Sequence, residues 1–206
     1  MGSVPRFLLH HAKQTRSATA MWLLEESQAP YEVRRHELKG PRSPEHLAAN
    51  PYGKFPTLVD RGPDGTWNSA VTENAAIAMH VADMLPASRL APKLGDRERG
   101  PWVTWCTLLP ATLEPGLMDI VFPRKQEAPR STVGWPPFPE TIERITNGLR
   151  GKQYLVADRF TAADIVIGSS LAFFKRIGKL PTNEVLDAYL ARLEERPALK
   201  AAREKD

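Results

Sequence analysis

Along the first 85 residues the spacing of hydrophobic positions changes period several times, and each change marks an element. Residues 6–12 open with Phe7, Leu8 and Leu9 and close on His10 and His11, a short run that reads as a strand. From Ser17 the spacing turns helical, with Ala20, Met21, Leu23, Leu24 and Ser27 on one face, until Pro30 stops it. Thr15 or Ser17 can cap this helix with a side-chain oxygen. Residues 31–38 alternate as a second strand. After the loop Gly40-Pro41-Arg42-Ser43-Pro44, residues 43–49 predict a short helix with Pro44 at its first position. Residues 57–60 and 66–71, joined by Gly62-Pro63-Asp64-Gly65, read as a hairpin. A helix over 75–85 follows, with Ile77, Val81 and Leu85 at helical spacing. This order describes one small α/β layer structure.

Residues 86–95 are rich in Pro, Ala and Gly and read as a linker. Beyond them the pattern is almost entirely helical. Residues 96–120 carry Trp102, Trp105, Leu109 and Leu113 along one long segment, which Pro110 and Pro115 are expected to kink or divide. A proline-laden loop covers 122–139, and helices are predicted over 140–149, 161–177 and 183–195. The expected organisation is an α/β domain over 1–85, a linker over 86–95 and an all-α domain over 96–206.

Composition then excludes several classes. With no uninterrupted apolar run of about 18 residues, no transmembrane helix is expected. The first residues lack the zones of a signal peptide, and Cys106 is the only cysteine, so a reducing cytoplasm is the expected setting. Net charge is +4, but the basic residues are mixed with acids; the densest cluster, Arg34-Arg35-His36-Glu37-Leu38-Lys39, contains a carboxylate. Neither nucleic acid nor membrane is an expected partner, and a mildly basic face suits a small anionic ligand. No metal is expected.

Candidate chemistry concentrates in two stretches. Gly53-Lys54-Phe55-Pro56-Thr57-Leu58-Val59 leads a proline into a strand; Val71-Thr72-Glu73-Asn74-Ala75 places a hydroxyl, an acid and an amide where a helix opens. The bland readings are a proline before an edge strand and a helix cap with Thr72 as N-cap. The functional reading is a backbone-pairing edge beside a helix N-terminus, where amides and the helix dipole favour an anion.

Taken in order, Ala20-Met21-Trp22-Leu23-Leu24-Glu25-Glu26-Ser27, Asn50-Pro51-Tyr52-Gly53-Lys54-Phe55-Pro56-Thr57-Leu58, Thr72-Glu73-Asn74-Ala75-Ala76-Ile77, the stretch from Tyr154 through Phe160-Thr161 to Asp164, and Tyr189-Leu190-Ala191-Arg192-Leu193 through Pro197-Ala198 resemble the cytosolic glutathione transferases of bacterial type. The resemblance implies a thioredoxin-like first domain and an all-helical second domain. It implies glutathione as co-substrate, a small hydrophobic electrophile as its partner, detoxification as the role, and a homodimer. A non-catalytic ligand-binding or regulatory member, or a glutathione-dependent reductase or isomerase, is the alternative.

The resemblance also assigns roles. Pro56 would be cis, and Phe55 would offer its amide and carbonyl to the cysteinyl part of glutathione, as an added strand does. Asn74 would bond the γ-glutamyl carboxylate and Glu73 its ammonium, although the family usually places serine where Asn74 stands. Lys54 would meet the glycyl carboxylate, assisted by Arg42 or Lys39. A free thiol has a pKa of about 8.5, and lowering it by about two units takes roughly 3 kcal/mol. Thr15 falls where many relatives carry serine and is the first candidate hydroxyl, with Ser17 second; both also fit as simple caps. The loop has no cysteine or tyrosine, which argues against members that use either. Trp102, Trp105, Leu109, Met118 and Phe122 are candidates for the co-substrate pocket, or for a core stripe. Cys106 reads as packed. Thr161 and Asp164 form a capping box with a structural role.

Overall fold

The computed structural model describes residues 4–126 and 128–206. Its first unit spans residues 1–91 and takes back residues 194–206; its second spans 92–193.

In the first unit, strands β1 (Phe7–His11), β2 (Tyr31–Arg35), β3 (Thr57–Asp60) and β4 (Ser69–Thr72) form one sheet in the order β2-β1-β3-β4. β1 and β2 run parallel and are joined through helix α1 (Ser17–Ser27); β3 is antiparallel to both β1 and β4. This is the thioredoxin-like arrangement that the family resemblance implies, within the α/β layer structure that the period changes predict. All five residues of β1 are buried, since α1 and α3 (Asn74–Met84) supply the core with Ala20 to Leu24, Ile77, Ala78 and Val81. A strand buried on both faces reads as a continuous apolar run, which is why His10 and His11 are fully buried too. Helix α2 (Pro44–Ala49) has Pro44 in its first turn, and the Ser43 hydroxyl accepts from the His46 amide.

The second unit is helical. The stretch read as one long segment divides into α4 (Arg99–Leu108), a π-helical turn over Leu109–Leu113 that contains Pro110, and α5 (Glu114–Val121), which holds Pro115 in its first turn. Proline removes an amide donor, so the ladder widens at Pro110 and restarts around Pro115. Helices α6 (Phe138–Leu149), α7 (Ala162–Arg176) and α8 (Glu184–Glu194) complete it. At α7 the capping box forms: the Thr161 amide donates to Asp164 Oδ2 at 2.9 Å. Trp102, Cys106, Leu109 and Leu113 are buried along α4 and the π-helical turn.

Helix α9 (Pro197–Lys205) packs on α1 within the first unit. Its hydrophobic pattern predicts no helix, because Leu199 is its only large apolar residue. It is held instead by ion pairs: Arg196 grips both oxygens of Glu26 at 2.5 and 2.7 Å, and Lys205 pairs with Glu25.

Candidate functional site

Strand register decides where the candidate residues gather. Thr57 pairs with His10 on one side and with Thr72 on the other. The end of β1, the start of β3 and the end of β4 therefore lie together at one edge of the sheet. That edge carries the 12–16 loop, Phe55 and Pro56, and Glu73 and Asn74.

The Phe55–Pro56 peptide is cis, as the family resemblance implies, and Pro56 is buried. Among the described residues no loop hydrogen bond engages the Phe55 amide or carbonyl. The preceding carbonyl, that of Lys54, is held from three directions: by Asn50 Nδ2 at 3.1 Å, by Thr57 Oγ1 at 3.1 Å and by His46 Nε2 at 3.3 Å. The segment is thus pinned just ahead of a main-chain edge with free donors and acceptors. Arg42 has a different role from assisting Lys54 at a carboxylate. Its guanidinium donates to the carbonyls of Gly53, Glu37, Gly40 and Leu38 and lies 4.7 Å over the Phe55 ring. It staples the loop that carries the edge. The Lys54 side chain is exposed.

At the end of β4 the cap expected from Thr72 does not form. The N-cap of α3 is Glu73, with no side-chain hydrogen bond to the first turn, so the opening amides of α3 lack a capping oxygen. Glu73 sits at φ 69°, ψ 126°, a conformation that costs a non-glycine residue about 1–3 kcal/mol. Asn74 Nδ2 donates to the Arg16 carbonyl at 3.0 Å, tying the α3 start to the 12–16 loop. Its Oδ1 is buried and, among the described residues, accepts no hydrogen bond.

The 12–16 loop also departs from a simple cap. Arg16 is the N-cap of α1, again with no side-chain bond to the helix. Thr15 Oγ1 lies 2.7 Å from the Ala12 carbonyl and 2.6 Å from Ser17 Oγ, and accepts from the Ser17 amide at 3.2 Å. Ser17 Oγ lies 2.9 Å from His11 Nδ1, and His11 Nε2 faces Asp206 Oδ1 at 3.5 Å. Ser17 is fully buried, whereas Thr15 is half-buried. A proton chain from His11 Nδ1 through Ser17 and Thr15 to the Ala12 carbonyl satisfies both hydroxyls. Thr15 is the more exposed of the two hydroxyls, and Ser17 holds it from inside the core. Burial lowers the His11 pKa, Asp206 opposes that, and Arg35 adds to it.

His11, Asp206, Asn50 and Arg42 in this supporting role escape the sequence reading. The His10-His11 pair ending an apolar strand is the one signal that marks His11, since a histidine inside a buried run needs a partner. Asp206 gives no signal, because only α9 docking on α1 brings it there.

In the second unit, Trp102 and Leu109 are core residues. Trp105 is half-buried, and a Cβ at Gly148 would lie 2.7 Å from its ring. Met118 and Phe122, at the end of α5, are exposed.

Two family models match: the N-terminal domain of glutathione S-transferase over residues 6–83 and its C-terminal domain over residues 123–206. The glutathione S-transferase GstA of Escherichia coli O157:H7 is 25% identical over 159 residues, 77% of this chain and 76% of that protein. Glutathione S-transferase GST-4.5 of Xanthomonas campestris is 27% identical over 176 residues, 80% of this chain and 81% of that one. A sphingomonad glutathione S-transferase solved in complex with glutathione superposes with a TM-score of 0.76 at 23% identity, covering 96% of this chain and 98% of that one.

Proposed function

We propose that this chain, which belongs to the cytosolic glutathione transferase superfamily, binds glutathione at the first unit and transfers its sulfur to a small hydrophobic electrophile. The observation that supports this is the gathering, at one end of the sheet, of an unpaired main-chain edge, a helix start without a capping side chain and a half-buried hydroxyl.

The Phe55 amide and carbonyl would pair with the cysteinyl main chain of glutathione. The γ-glutamyl carboxylate would take the free amides at the start of α3, where the dipole adds to their pull. Asn74 then acts differently from the carboxylate donor the family resemblance implies. With Nδ2 bonded to Arg16 and Oδ1 buried, it would hold the start of α3 against the 12–16 loop, and the Glu73 carboxylate would meet the γ-glutamyl ammonium. Lys54 would meet the glycyl carboxylate from solvent. The sulfur would lie by Thr15. Its hydroxyl proton is held by the Ala12 carbonyl, but a bond to a thiolate is charge-assisted and about twice as strong as a neutral one. The Thr15 hydroxyl would therefore turn its hydrogen bond to the thiolate and keep its proton. In the second unit, taken by itself, the candidate apolar side chains that keep exposure are Trp105, Met118 and Phe122. Family membership extends the reading to a cytoplasmic homodimer with a detoxifying role.

A second reading, glutathione binding without turnover, is favoured by one feature: Thr15 already has a full set of partners. Calorimetric titration with glutathione and an assay with a generic aryl halide separate the two. Binding below millimolar concentration with turnover supports transfer. Binding without turnover supports the second reading, and the absence of binding removes both.

A further inference from the structure

We propose that His10, His36 and His46 form a binding site for one divalent transition-metal ion, Zn2+ first among them, directly behind the Phe55–Pro56 edge. One ring nitrogen of each lies within 4.8 Å of the other two. The three come from separate segments: His10 ends β1, His36 follows β2 and His46 lies on α2. Parallel pairing of β1 with β2 sets His10 opposite Arg34, and the His36 amide donates to the His11 carbonyl at 2.8 Å, which carries His36 back to His10. Nothing in the spacing 10, 36, 46 announces this, so the sequence reading expected no metal.

Hydrogen-bond accounting supports the site independently of proximity. His46 Nε2 faces the Lys54 carbonyl at 3.3 Å and Thr57 Oγ1 at 3.1 Å. A carbonyl only accepts, so Nε2 carries the proton and Nδ1 of the neutral ring is a lone pair. That Nδ1 is buried and, among the described residues, has no donor. A ring that donates one N–H to a backbone carbonyl and aims its other nitrogen at empty polar space has the outer-shell geometry of a metal-ligating histidine. His10 and His36 share one contact, Nδ1 to Nε2 at 2.9 Å, and His10 Nε2 is buried without a partner among the described residues. His46 and His10 are both fully buried, His36 half-buried. Two fully buried imidazoles, each with an orphan nitrogen, are costly unless something fills the gap.

Imidazole donors suit Zn2+, Cu2+ and Ni2+ rather than Mg2+ or Ca2+. Three nitrogens and no carboxylate leave a fourth position for water entering past His36. Two nitrogens each about 2.1 Å from one ion are about 3.4 Å apart at a tetrahedral angle, so binding contracts the widest separation by about 1.4 Å. Arg34 is paired with Glu32 and Glu45, whereas Arg42, bonded to four neutral carbonyls, keeps its charge and opposes the ion, a cost that the three nitrogens must outweigh. The ion would cross-link β1, the post-β2 loop and α2 beneath the Phe55 ring, which stacks on His46 at 4.7 Å.

The test uses the full chain, stripped with a chelator and kept free of glutathione, which binds Zn2+ itself. The inference does not require transferase activity, so its failure and that of the proposed function are separable. Calorimetric titration with ZnCl2 is expected to give one ion per chain, and Co2+ to give the intense visible bands of tetrahedral nitrogen coordination. His36→Gln, on a half-exposed loop, is expected to weaken Zn2+ at least about tenfold with its circular dichroism unchanged. His80→Gln, which alters a histidine outside the cluster, is expected to bind as wild type. No saturable binding by the wild-type chain, or equal affinity in His36→Gln, overturns the proposal.

Discussion

Thr15 and Ser17 differ by two positions and by their access to solvent, and that difference predicts different losses. Thr15→Ala removes a hydroxyl donor to a charged sulfur, worth about 1.5–3 kcal/mol, so the bound thiol pKa is expected to rise by about one to two units. Ultraviolet thiolate absorbance against pH measures it, and Thr15→Ser is expected to keep most of the effect. Ser17→Ala instead strips partners from His11 and the Ala12 amide inside the core. It is expected to cost about 1–3 kcal/mol of stability in urea unfolding, with a smaller change in thiol pKa. The opposite ranking would exchange their roles. Glu73 carries the complementary argument. Its φ of 69° suits glycine, so Glu73→Gly is expected to stabilise the fold by up to about 1 kcal/mol while weakening glutathione binding. A gain in both would remove Glu73 from the ligand. At this scale the sequence singles out Thr15, Glu73 and Asn74 as candidates because they stand in ordered local motifs. The partners that fix them are not legible there: His11 reaches Asp206 across the whole chain, and Asn74 reaches Arg16 from 58 residues away.

Helix ends divide into those built for folding and those left open. α7 opens on Asp164, whose carboxylate accepts from the Thr161 amide, the Leu155 amide at 3.0 Å and the Tyr189 hydroxyl at 3.0 Å. Thr161→Ala is expected to cost about 1–2 kcal/mol, as a lost cap does. Asp164→Ala is expected to cost more, because it leaves buried donors without an acceptor; thermal melts rank the two. A substitution at this cap is expected to leave glutathione affinity per folded molecule unchanged. α3 begins without a side-chain cap, and α1 has the Thr15 hydroxyl on its first amide in place of a cap from Arg16, both on the edge where the ligand is proposed. Amphipathic spacing made the elements legible through α8. It could not show α9, whose docking depends on Arg196 and Lys205 finding acids 170 and 180 residues earlier. Nor could it separate a capped helix start from an open one at Glu73, since both readings use the same letters.

For the whole molecule, two buried aspartates give stability opposite dependences on pH. Burial would raise the Asp60 carboxyl, but Arg6 at 2.8 Å, the Gly62 amide at 2.8 Å and His80 at 2.9 Å hold it below its ordinary value. A depressed carboxyl gives its full contribution above the unfolded pKa and loses it as pH falls through the folded one, so the Asp60 contribution fades below about pH 4. Asp164 runs the other way. Burial outweighs its donors and pushes it from 3.8 to about 6. The native state then holds a proton that the unfolded chain has released, and stability declines as pH climbs from about 4 to about 6, by at most roughly 3 kcal/mol. His10, which burial holds at about 4, adds the opposite slope between about pH 4 and pH 6.5, so the Asp164 decline is read as the difference between the wild type and Asp164→Asn. Urea midpoints of both are measured from about pH 3 to pH 8. Asp60→Asn is expected to be less stable at neutral pH and to flatten the acid limb. Asp164→Asn is expected to gain on the wild type, by at most roughly 3 kcal/mol, as pH climbs from about 4 to about 6, while leaving the acid limb in place. If the difference between the two stays constant from about pH 4 to about pH 7, the donors around Asp164 outweigh its burial and its carboxylate is ionised throughout.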